Sequence, residues 1–435
     1  MKSESFLIEN GILTGYTGKD RVVKIPEGVR EIGDGVFASS PTLCEVVFPE
    51  SLKRIGWRAF SGCAGLTRVD IPGTVKTVGW RSFQDCVRIK EIILHEGTEI
   101  LEGGFASGCS SLQRIHIPSS MKELGSWAFF RCKNLVEVII NARISEIGDL
   151  TFSGCCSLKK MELPETVKVI GIEAFYECNM LTFLKIPEKK CRIGEKAFSN
   201  CRHLESFCFP RGTETIGRGV LAGCASLEKV VLPETVKLIE EDAFSCCYNL
   251  SEIRLPAGLT SIGMNAFYEC EALSDEQGLI VRSGVLYGIL PDRKQEILEL
   301  PLECKRIAEH VFDGMECPGM ILSPSVELCC FQDEKIRFAA LRGFCENHSV
   351  YSEDVRPAYA EKVYENREIL CTQFIQNGYR KAFAYFTENG IMPDELYEKC
   401  FEKARSAGKP EITDMLLEYR RGRNSMDAVN KLFSL

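Results

Sequence analysis

The sequence repeats a motif of about 23 residues from position 30 to position 272. Its most regular part is a small residue, an aromatic residue and, three residues later, a cysteine, as in Ala59-Phe60 with Cys63. The aromatic position is filled by Phe37, Phe60, Phe83, Phe105, Phe129, Phe152, Phe175, Phe198, Leu221 (the one aliphatic substitute), Phe244 and Phe267. A fixed period of this length is typical of a solenoid, because one such unit cannot bury its own apolar face and must stack on its neighbours.

Each repeat predicts two short strands and two turns. The first strand has the form L-x-x-V-x-I-P, as in Leu66–Pro72, and the second has the form V-x-x-I-G, as in Val75–Gly79. Alternation with period two places Val69 inward and Arg68 outward. Proline ends the first strand because it cannot donate a ladder hydrogen bond. We interpret the glycine before the Phe turn as a source of backbone freedom that a side chain would forbid.

The repeat pattern I-P-x-x-V-x-x-I-G-x-x-A-F-x-x-C-x-x-L-x-x-V resembles the BspA-like leucine-rich repeat family of bacterial proteins. This resemblance implies a leucine-rich repeat β-solenoid whose strands line one long parallel sheet, together with a general role in binding other macromolecules. The family carries no catalytic residues, and many relatives are displayed or secreted. The expected fold class is therefore α+β, a β-solenoid of about 23-residue repeats followed by a small all-α C-terminal domain.

The chain divides into three predicted domains. Residues 1–29 predict an N-terminal capping β-hairpin, with Asn10-Gly11 as its turn. Residues 30–330 form the solenoid, with an inserted hairpin unit at 273–303 and a resumed repeat at 307–315. Residues 331–435 predict an α-helical domain that weakly resembles ankyrin-type helix pairs. Its helix candidates are Glu334–Glu346, Asp354–Gln376, Tyr379–Asn389, Pro393–Ala407, Pro410–Arg420 and Met426–Leu432.

The 22 cysteines are explained by position in the repeat rather than by oxidation. One repeat position holds Cys63, Cys86, Cys109, Cys132, Cys155, Cys178, Cys201, Cys224, Cys247 and Cys270. Equivalent side chains on stacked parallel strands project in the same direction, so they do not turn toward each other as disulfide partners must. We therefore expect buried, reduced thiols that pack as small hydrophobic groups.

Composition and motifs argue against several functions. The net charge of −8 does not suit a nucleic-acid-binding protein, and no stretch approaches the ~20 apolar residues of a membrane span. The N-terminal sequence shows no secretory signal, so the cytoplasm is the expected location. The five histidines lie in separate repeats or segments, and no nucleotide-binding, metalloprotease or nucleophile motif occurs. We expect no enzyme activity, no cofactor and no metal site.

The outward positions of the first strand form two columns down the stack. One column alternates in charge over six repeats, from Glu45 to Lys160, and the other alternates apolar and polar residues. The columns support two interpretations, a self-neutralised sheet surface or a recognition face with apolar contact area. The candidate interaction face consists of Val47, Arg68, Ile93, Arg114, His116, Ile139, Lys160, Phe183, Lys185, Ser206 and Cys208.

The leading functional hypothesis is a non-catalytic scaffold that binds a partner protein through the extended sheet face. One alternative is an adhesin-like or glycan- or peptide-binding protein, for which Trp57, Trp80 and Trp127 would offer an aromatic row. Another is ligand binding or enzymatic activity in the C-terminal helical domain. The sequence does not identify the partner or the oligomeric state.

Overall fold

The structure, a computed structural model, describes residues 5–275, 278–282, 285–289, 297–301, 304, 306–307, 311, 319–321, 334–351, 353 and 356–433. These residues fall into two compact units. The first comprises the chain up to Ile280 together with 287–289, and the second comprises the rest. Most of the resumed repeat at 307–315, including Phe312, lies outside the described residues.

Two short strands recur in each repeat of the first unit, as the sequence predicts. In chain order the strands are β1 (Phe6–Glu9), β2 (Ile12–Tyr16), β3 (Val22–Lys24), β4 (Glu31–Ile32), β5 (Glu45–Val47), β6 (Arg54–Ile55), β7 (Arg68–Ile71), β8 (Thr77–Val78), β9 (Glu91–Leu94), β10 (Ile100–Leu101), β11 (Arg114–Ile117), β12 (Glu123–Leu124), β13 (Glu137–Ile140), β14 (Glu146–Ile147), β15 (Lys160–Glu162), β16 (Val169–Ile170), β17 (Phe183–Lys185), β18 (Arg192–Ile193), β19 (Ser206–Cys208), β20 (Thr215–Ile216), β21 (Lys229–Val231), β22 (Leu238–Ile239), β23 (Glu252–Ile253) and β24 (Ser261–Ile262). Where strands of successive repeats pair, they pair in parallel, residue on equivalent residue, as β3 does with β5, β4 with β6 and β7 with β9. The predicted solenoid is confirmed.

The first two strands form a hairpin at the start of the stack. β1 and β2 pair antiparallel, and Asn10 and Gly11 both have positive φ, as a two-residue hairpin turn requires. β2 then pairs in parallel with β4, so the hairpin continues the sheet formed by the second strands of the repeats.

One internal column of aromatic rings runs through the repeats. Phe60, Phe83 and Phe129 are fully buried, and the rings of Phe60 and Phe83 stack with their centroids 5.1 Å apart. The Phe turns are also joined by backbone hydrogen bonds, as from the Phe60 N–H to the Ser82 carbonyl at 2.8 Å. These contacts confirm that each repeat covers the apolar face of its neighbour.

The cysteines of the corner position lie in a buried file beside the rings. Each thiol donates to a backbone carbonyl of the preceding repeat, as from Cys86 Sγ to the Phe60 oxygen at 3.1 Å and from Cys178 Sγ to the Phe152 oxygen at 3.2 Å. All cysteines in the described part of the chain are free thiols. The expected packing of reduced thiols is therefore what the structure shows.

The glycines before the Phe turn serve a different purpose from the one predicted. Gly56, Gly79 and their equivalents are absent from the positive-φ residues of the described chain. A Cβ on Gly79 would instead come 2.7 Å from the carbonyl carbon of Gly56 in the preceding repeat. Close approach of stacked backbones, and not conformational freedom, is therefore the reason that a side chain would be strained at Gly79. Positive φ occurs at other turn positions, including Arg58 and Arg81.

The sheet of first strands is not continuous, in contrast to the one long sheet expected. It divides into β3–β5, a six-stranded sheet from β7 to β17, and a three-stranded sheet from β19 to β23. The two interruptions flank Phe48 and Phe209, the only phenylalanines in a buried column of Ile and Leu represented by Ile71 and Leu94. Each interruption of the first-strand sheet therefore coincides with a phenylalanine in this column.

The second unit contains strands and helices. Two strands, β25 (Leu279–Arg282) and β26 (Val285–Ile289), have residues in both units, and β27 (Ile297–Glu299), β28 (Arg306–Ile307) and β29 (Gly319–Ile321) belong to the second unit. The helices are α1 (Glu334–Asn347), α2 (Arg356–Glu365), α3 (Arg367–Asn377), α4 (Arg380–Glu388), α5 (Asp394–Ser406) and α6 (Pro410–Phe433). The predicted helical region is confirmed, and its division differs in two places.

The single helix predicted over Asp354–Gln376 is two helices in the structure. The Asn366 side chain donates to the Lys362 carbonyl at 2.8 Å, which is the local competition with helical bonding that asparagine provides. Conversely, the two segments predicted at 410–420 and 426–432 are one helix, α6, which passes through Gly422. A single glycine inside a long helix costs only about 1 kcal/mol.

Candidate interaction surface

The eleven residues of the candidate interaction face all lie on the first strands, in β5, β7, β9, β11, β13, β15, β17 and β19. Ten of them are exposed, and Ile93 is half-buried. Residues between them, such as Val46 and Val69, are buried. The alternation of the strand therefore places the predicted residues on one surface.

The alternating charges form ion pairs over part of the column. Arg68 Nε lies 3.1 Å from Glu91 Oε2, and Arg114 Nε lies 3.5 Å from Glu137 Oε2. Glu45, which the alternation pairs with Arg68, has no ion-pair partner among the described residues. Exposed pairs of this kind contribute about 0 to 1 kcal/mol each. Charge neutralisation is thus incomplete at the N-terminal end.

The candidate interaction face also changes in character where the charge alternation ends. Phe183 is 47% exposed, and the sheet is interrupted between its strand, β17, and β19, which carries Ser206 and Cys208. An exposed phenylalanine and an exposed thiol therefore border the interruption.

A groove opens at the other interruption, between β5 and β7. It has a volume of about 810 Å³. Its walls are formed by residues 44–50 on one side and 67–74 on the other, with His95 and Glu96 from the following repeat. Val47 and Arg68 belong to the predicted face, whereas Glu50, Asp70, Thr74, His95 and Glu96 were not predicted.

Polar contacts inside the groove hold several of these side chains. Asp70 contacts His95 Nε2 at 2.8 Å, and it accepts a hydrogen bond from Arg68 at 3.4 Å. Glu96 accepts from the Ser119 and Ser120 N–H groups at 3.0 and 3.1 Å. These N–H donors lower the pKa of the Glu96 carboxyl, so Glu96 is an anion near neutral pH.

A group of aromatic and arginine side chains lies at the Phe-turn edge. Trp57 and Trp80 are exposed, and Trp127 is half-buried. The Trp80 and Trp127 ring centroids are 6.1 Å apart, and the Arg81 guanidinium lies 5.7 Å from each. Arg58 lies 5.5 Å from the Trp57 ring. The tryptophans are therefore held within cation–π distance of arginines, which makes this a packed cluster.

The helical unit has a groove of its own. It has a volume of about 540 Å³ and lies between α1, α2 and α3, where Arg337, Lys362, Glu365 and Ile369 line it. In the described part of the chain, no three His, Cys, Asp or Glu side chains are grouped to hold a metal ion. No described helix is both long and apolar enough to cross a bilayer.

The unpredicted groove residues left one signal in the sequence. Phe48 occupies a position that is Ile or Leu in the neighbouring repeats, and the turns of the next two repeats contain Gly73 and Gly97. Together these departures from the repeat mark the position of the groove.

Comparison with known proteins identifies the repeats. The model of the BspA type leucine rich repeat region matches residues 16–136, 82–205 and 145–274, more than half of the chain. Among curated proteins, none matches this sequence.

Several solved structures are similar to this chain. A leucine rich cell surface protein from Faecalibacterium prausnitzii A2-165 is 24% identical, with 63% of this chain and 93% of that chain covered and a TM-score of 0.39. The T. pallidum leucine rich repeat protein is 27% identical, with 47% and 90% covered and a TM-score of 0.38. A leucine-rich repeat protein from Bacteroides ovatus is 23% identical, with 69% and 84% covered and a TM-score of 0.38.

Proposed function

Because the chain belongs to the BspA-type leucine-rich repeat family, we propose that it is a non-catalytic scaffold that binds a partner protein along its candidate interaction face. The observation that supports this most is the exposure of Val47, Ile139 and Phe183 on one strand surface. Apolar side chains set among charged ones are typical of protein interfaces. The same surface offers extended contact area without a catalytic cluster.

A photo-crosslinking experiment tests the proposal. A photoreactive phenylalanine analogue is placed at Ile139 or at Phe183 in the full chain, and the protein is irradiated in its native cells. We expect a discrete adduct of higher mass from both positions. Matched control positions are Lys133 and Arg202, which are exposed and follow the cysteine corner rather than the sheet face. Adducts of equal yield from the control positions would remove the sheet face as the binding site.

Charge reversal of the face provides a second test. Arg68, Arg114 and Lys160 are changed together to Glu, and the adduct yield at Ile139 is measured again. We expect a loss of several-fold, because like charges across an interface slow association and lower affinity. The matched control reverses Arg88, Lys133 and Arg202, three exposed cations away from the face, and should leave the yield unchanged.

The thiols support a cytoplasmic location, which we include in the proposal. Cys208 is an exposed thiol, and an exposed thiol stays reduced in the cytoplasm but not in oxidising compartments. Fractionation of the native cells with an antibody to the protein checks the location. Recovery in the surface or secreted fraction would contradict it.

A further inference from the structure

We propose that the groove between β5 and β7 binds a short extended segment of a partner protein that carries a lysine or arginine side chain. This inference rests on the proposed function and names the class of partner for one end of the candidate interaction face. Four observations support it: close contact between the turns beside the groove, an unpartnered hydroxyl, uncompensated carboxylates and apolar side chains on both walls.

The turn after β7, which forms one wall of the groove, lies in close contact with the turn of the following repeat. A Cβ on Gly73 would collide with the Glu96 carbonyl, and a Cβ on Gly97 would collide with Gly73. Glycine at both positions lets these two turns touch. Phe48, whose ring packs edge-on against Phe60 at 5.8 Å, lies on the opposite wall. The walls of the groove therefore contain residues that the neighbouring repeats do not share at these positions.

The Thr74 hydroxyl, beside the groove, lacks the hydrogen bond that equivalent hydroxyls make to the preceding repeat. Hydroxyls at equivalent positions of other repeats donate to a carbonyl of the preceding repeat, as Ser51 does to Val29 at 2.8 Å and Ser120 does to Thr98 at 2.8 Å. Thr74 lines the groove, and its Oγ1 is buried with no hydrogen-bond partner among the described residues. A buried hydroxyl without a partner costs free energy, so Thr74 marks a local loss of the contact between repeats beside the groove.

The charge in the groove is mostly negative. Its lining contains Glu45, Glu50, Asp70 and Glu96 against one arginine, Arg68. Arg68 is already held by Glu91 at 3.1 Å. Glu45 and Glu50 have no ion-pair partner in the described part of the chain. The groove therefore complements a cationic side chain and disfavours an acidic one.

Apolar side chains line part of the groove. Val46, Val47 and Phe48 run along one wall, and Pro72 lies on the other. Because both walls are formed by extended strands and the turns that follow them, the groove suits an extended chain whose apolar side chains alternate with basic ones.

Peptide binding to the full-length protein tests the inference. The probe is fluorescein-labelled Ac-Val-Lys-Val-Lys-Val-amide, and polarisation is measured at 50 and 300 mM salt. We expect binding that weakens with salt and that falls about five- to tenfold in the double variant E45Q/E50Q, since each exposed pair contributes up to about 1 kcal/mol. A Val-Glu peptide of the same length should not bind. Spermine should compete weakly, because it has no apolar side chains to contact Val47 and Phe48.

The matched control is E162Q/E165Q, which removes two exposed carboxylates of the same face. Glu165 occupies the position equivalent to Glu50 five repeats later. We expect this variant to bind like the unchanged protein. Equal affinity of E45Q/E50Q and E162Q/E165Q, no binding of the lysine peptide, or tighter binding of spermine would overturn the inference.

Failure here is distinguishable from failure of the scaffold proposal. The crosslinking analogue at Ile139 is combined with E45Q/E50Q, and the analogue is also placed at Val47. An adduct at Ile139 together with no adduct at Val47 would overturn the groove while the scaffold proposal stands. Absence of adducts at both positions would overturn both.

Discussion

At the scale of single residues, Phe105 shows how the stack absorbs a change in the repeat. Phe105 comes 22 residues after Phe83, yet the Phe83 N–H donates to the Phe105 carbonyl at 2.9 Å, as the Phe60 N–H donates to Ser82. The backbone register is therefore unbroken, and Phe105 and Ala106 have exchanged places within one turn. The exchanged ring meets Phe83 edge-on at 77°, whereas Phe60 and Phe83 stack at 2°. Filling the buried column matters more than the direction from which a ring enters it.

Leu221 gives a prediction about compensation. It replaces the repeated phenylalanine, and the ring of Phe198 packs instead against Phe207 at a centroid distance of 4.9 Å. Phe207 occupies a strand position that is Val or Ile in most other repeats. We expect L221F alone to cost about 1 to 3 kcal/mol by overpacking, and F207V alone to cost about 2 to 4 kcal/mol through the cavity it leaves. The double variant should cost at least about 1 kcal/mol less than the sum. Urea denaturation measures all four proteins, and additive losses would refute the compensation.

The buried thiols give a second residue-scale prediction. Burial raises the pKa of Cys109 and of Cys270 to about 12. Since only the thiolate reacts, thiols of the corner file should resist labelling by iodoacetamide up to pH 9 in the folded protein. The exposed Cys208 should react first. Mass spectrometry of labelled peptides, with a urea-unfolded sample as control, checks this. Early labelling of Cys109 would contradict the buried file.

At the scale of elements, periodicity predicts the two strands of each repeat and the buried column but not the division of the sheet. Alternation shows which side of the sheet a residue faces but not whether neighbouring strands pair, so the interruptions of the sheet near Phe48 and Phe209 were not predicted. The predicted reason for glycine at position 79, backbone freedom, was wrong. The sequence of one repeat does not show how closely its backbone approaches the next repeat, and this approach is what a side chain on Gly79 would disturb. Val47 and Arg68 were correctly predicted to be exposed, because side chains alternate between the two faces of a strand. The groove they line was not predicted, because it lies between strands of two different repeats and is also lined by His95 and Glu96 of a third.

The glycine column gives an element-scale prediction. A Cβ on Gly79 would meet the backbone of Gly56 at 2.7 Å, so G79A should destabilise the protein by about 1 to 3 kcal/mol. Gly258 is a matched control, since a Cβ there meets nothing within 4 Å and its φ is not positive. G258A should be neutral or stabilise by up to about 1 kcal/mol. Thermal unfolding of both variants tests this explanation. If glycine were needed only for conformational freedom, G79A and G258A would lower the free energy of unfolding by similar amounts.

At the scale of the molecule, the first unit is held together by bonds between neighbouring repeats. The sheet of first strands is divided between β17 and β19, whereas the Phe-turn ladder continues there, with the Phe198 N–H donating to the Val220 carbonyl at 3.0 Å. The aromatic column also reaches this point, since Phe175 and Phe198 lie 5.5 Å apart. Coupling between the two halves of the stack therefore depends on the turn edge more than on the sheet face.

This dependence predicts different outcomes for the same substitution at two places. Phe175 stacks between Phe152 and Phe198 at 5.3 and 5.5 Å, and F175A should cost about 3 to 5 kcal/mol. It should also uncouple the repeats on its two sides, because a solenoid is stabilised by nearest-neighbour interfaces. Phe37 lies beside the terminal hairpin, 5.2 Å from Tyr16, so F37A should release only the first repeats. Hydrogen exchange separates the outcomes: F175A should lower protection on both sides of the substitution, whereas F37A should leave the repeats after Phe198 unchanged. An equal loss of protection across the whole stack in both variants would mean that the unit unfolds as one body and that coupling is not confined to neighbours.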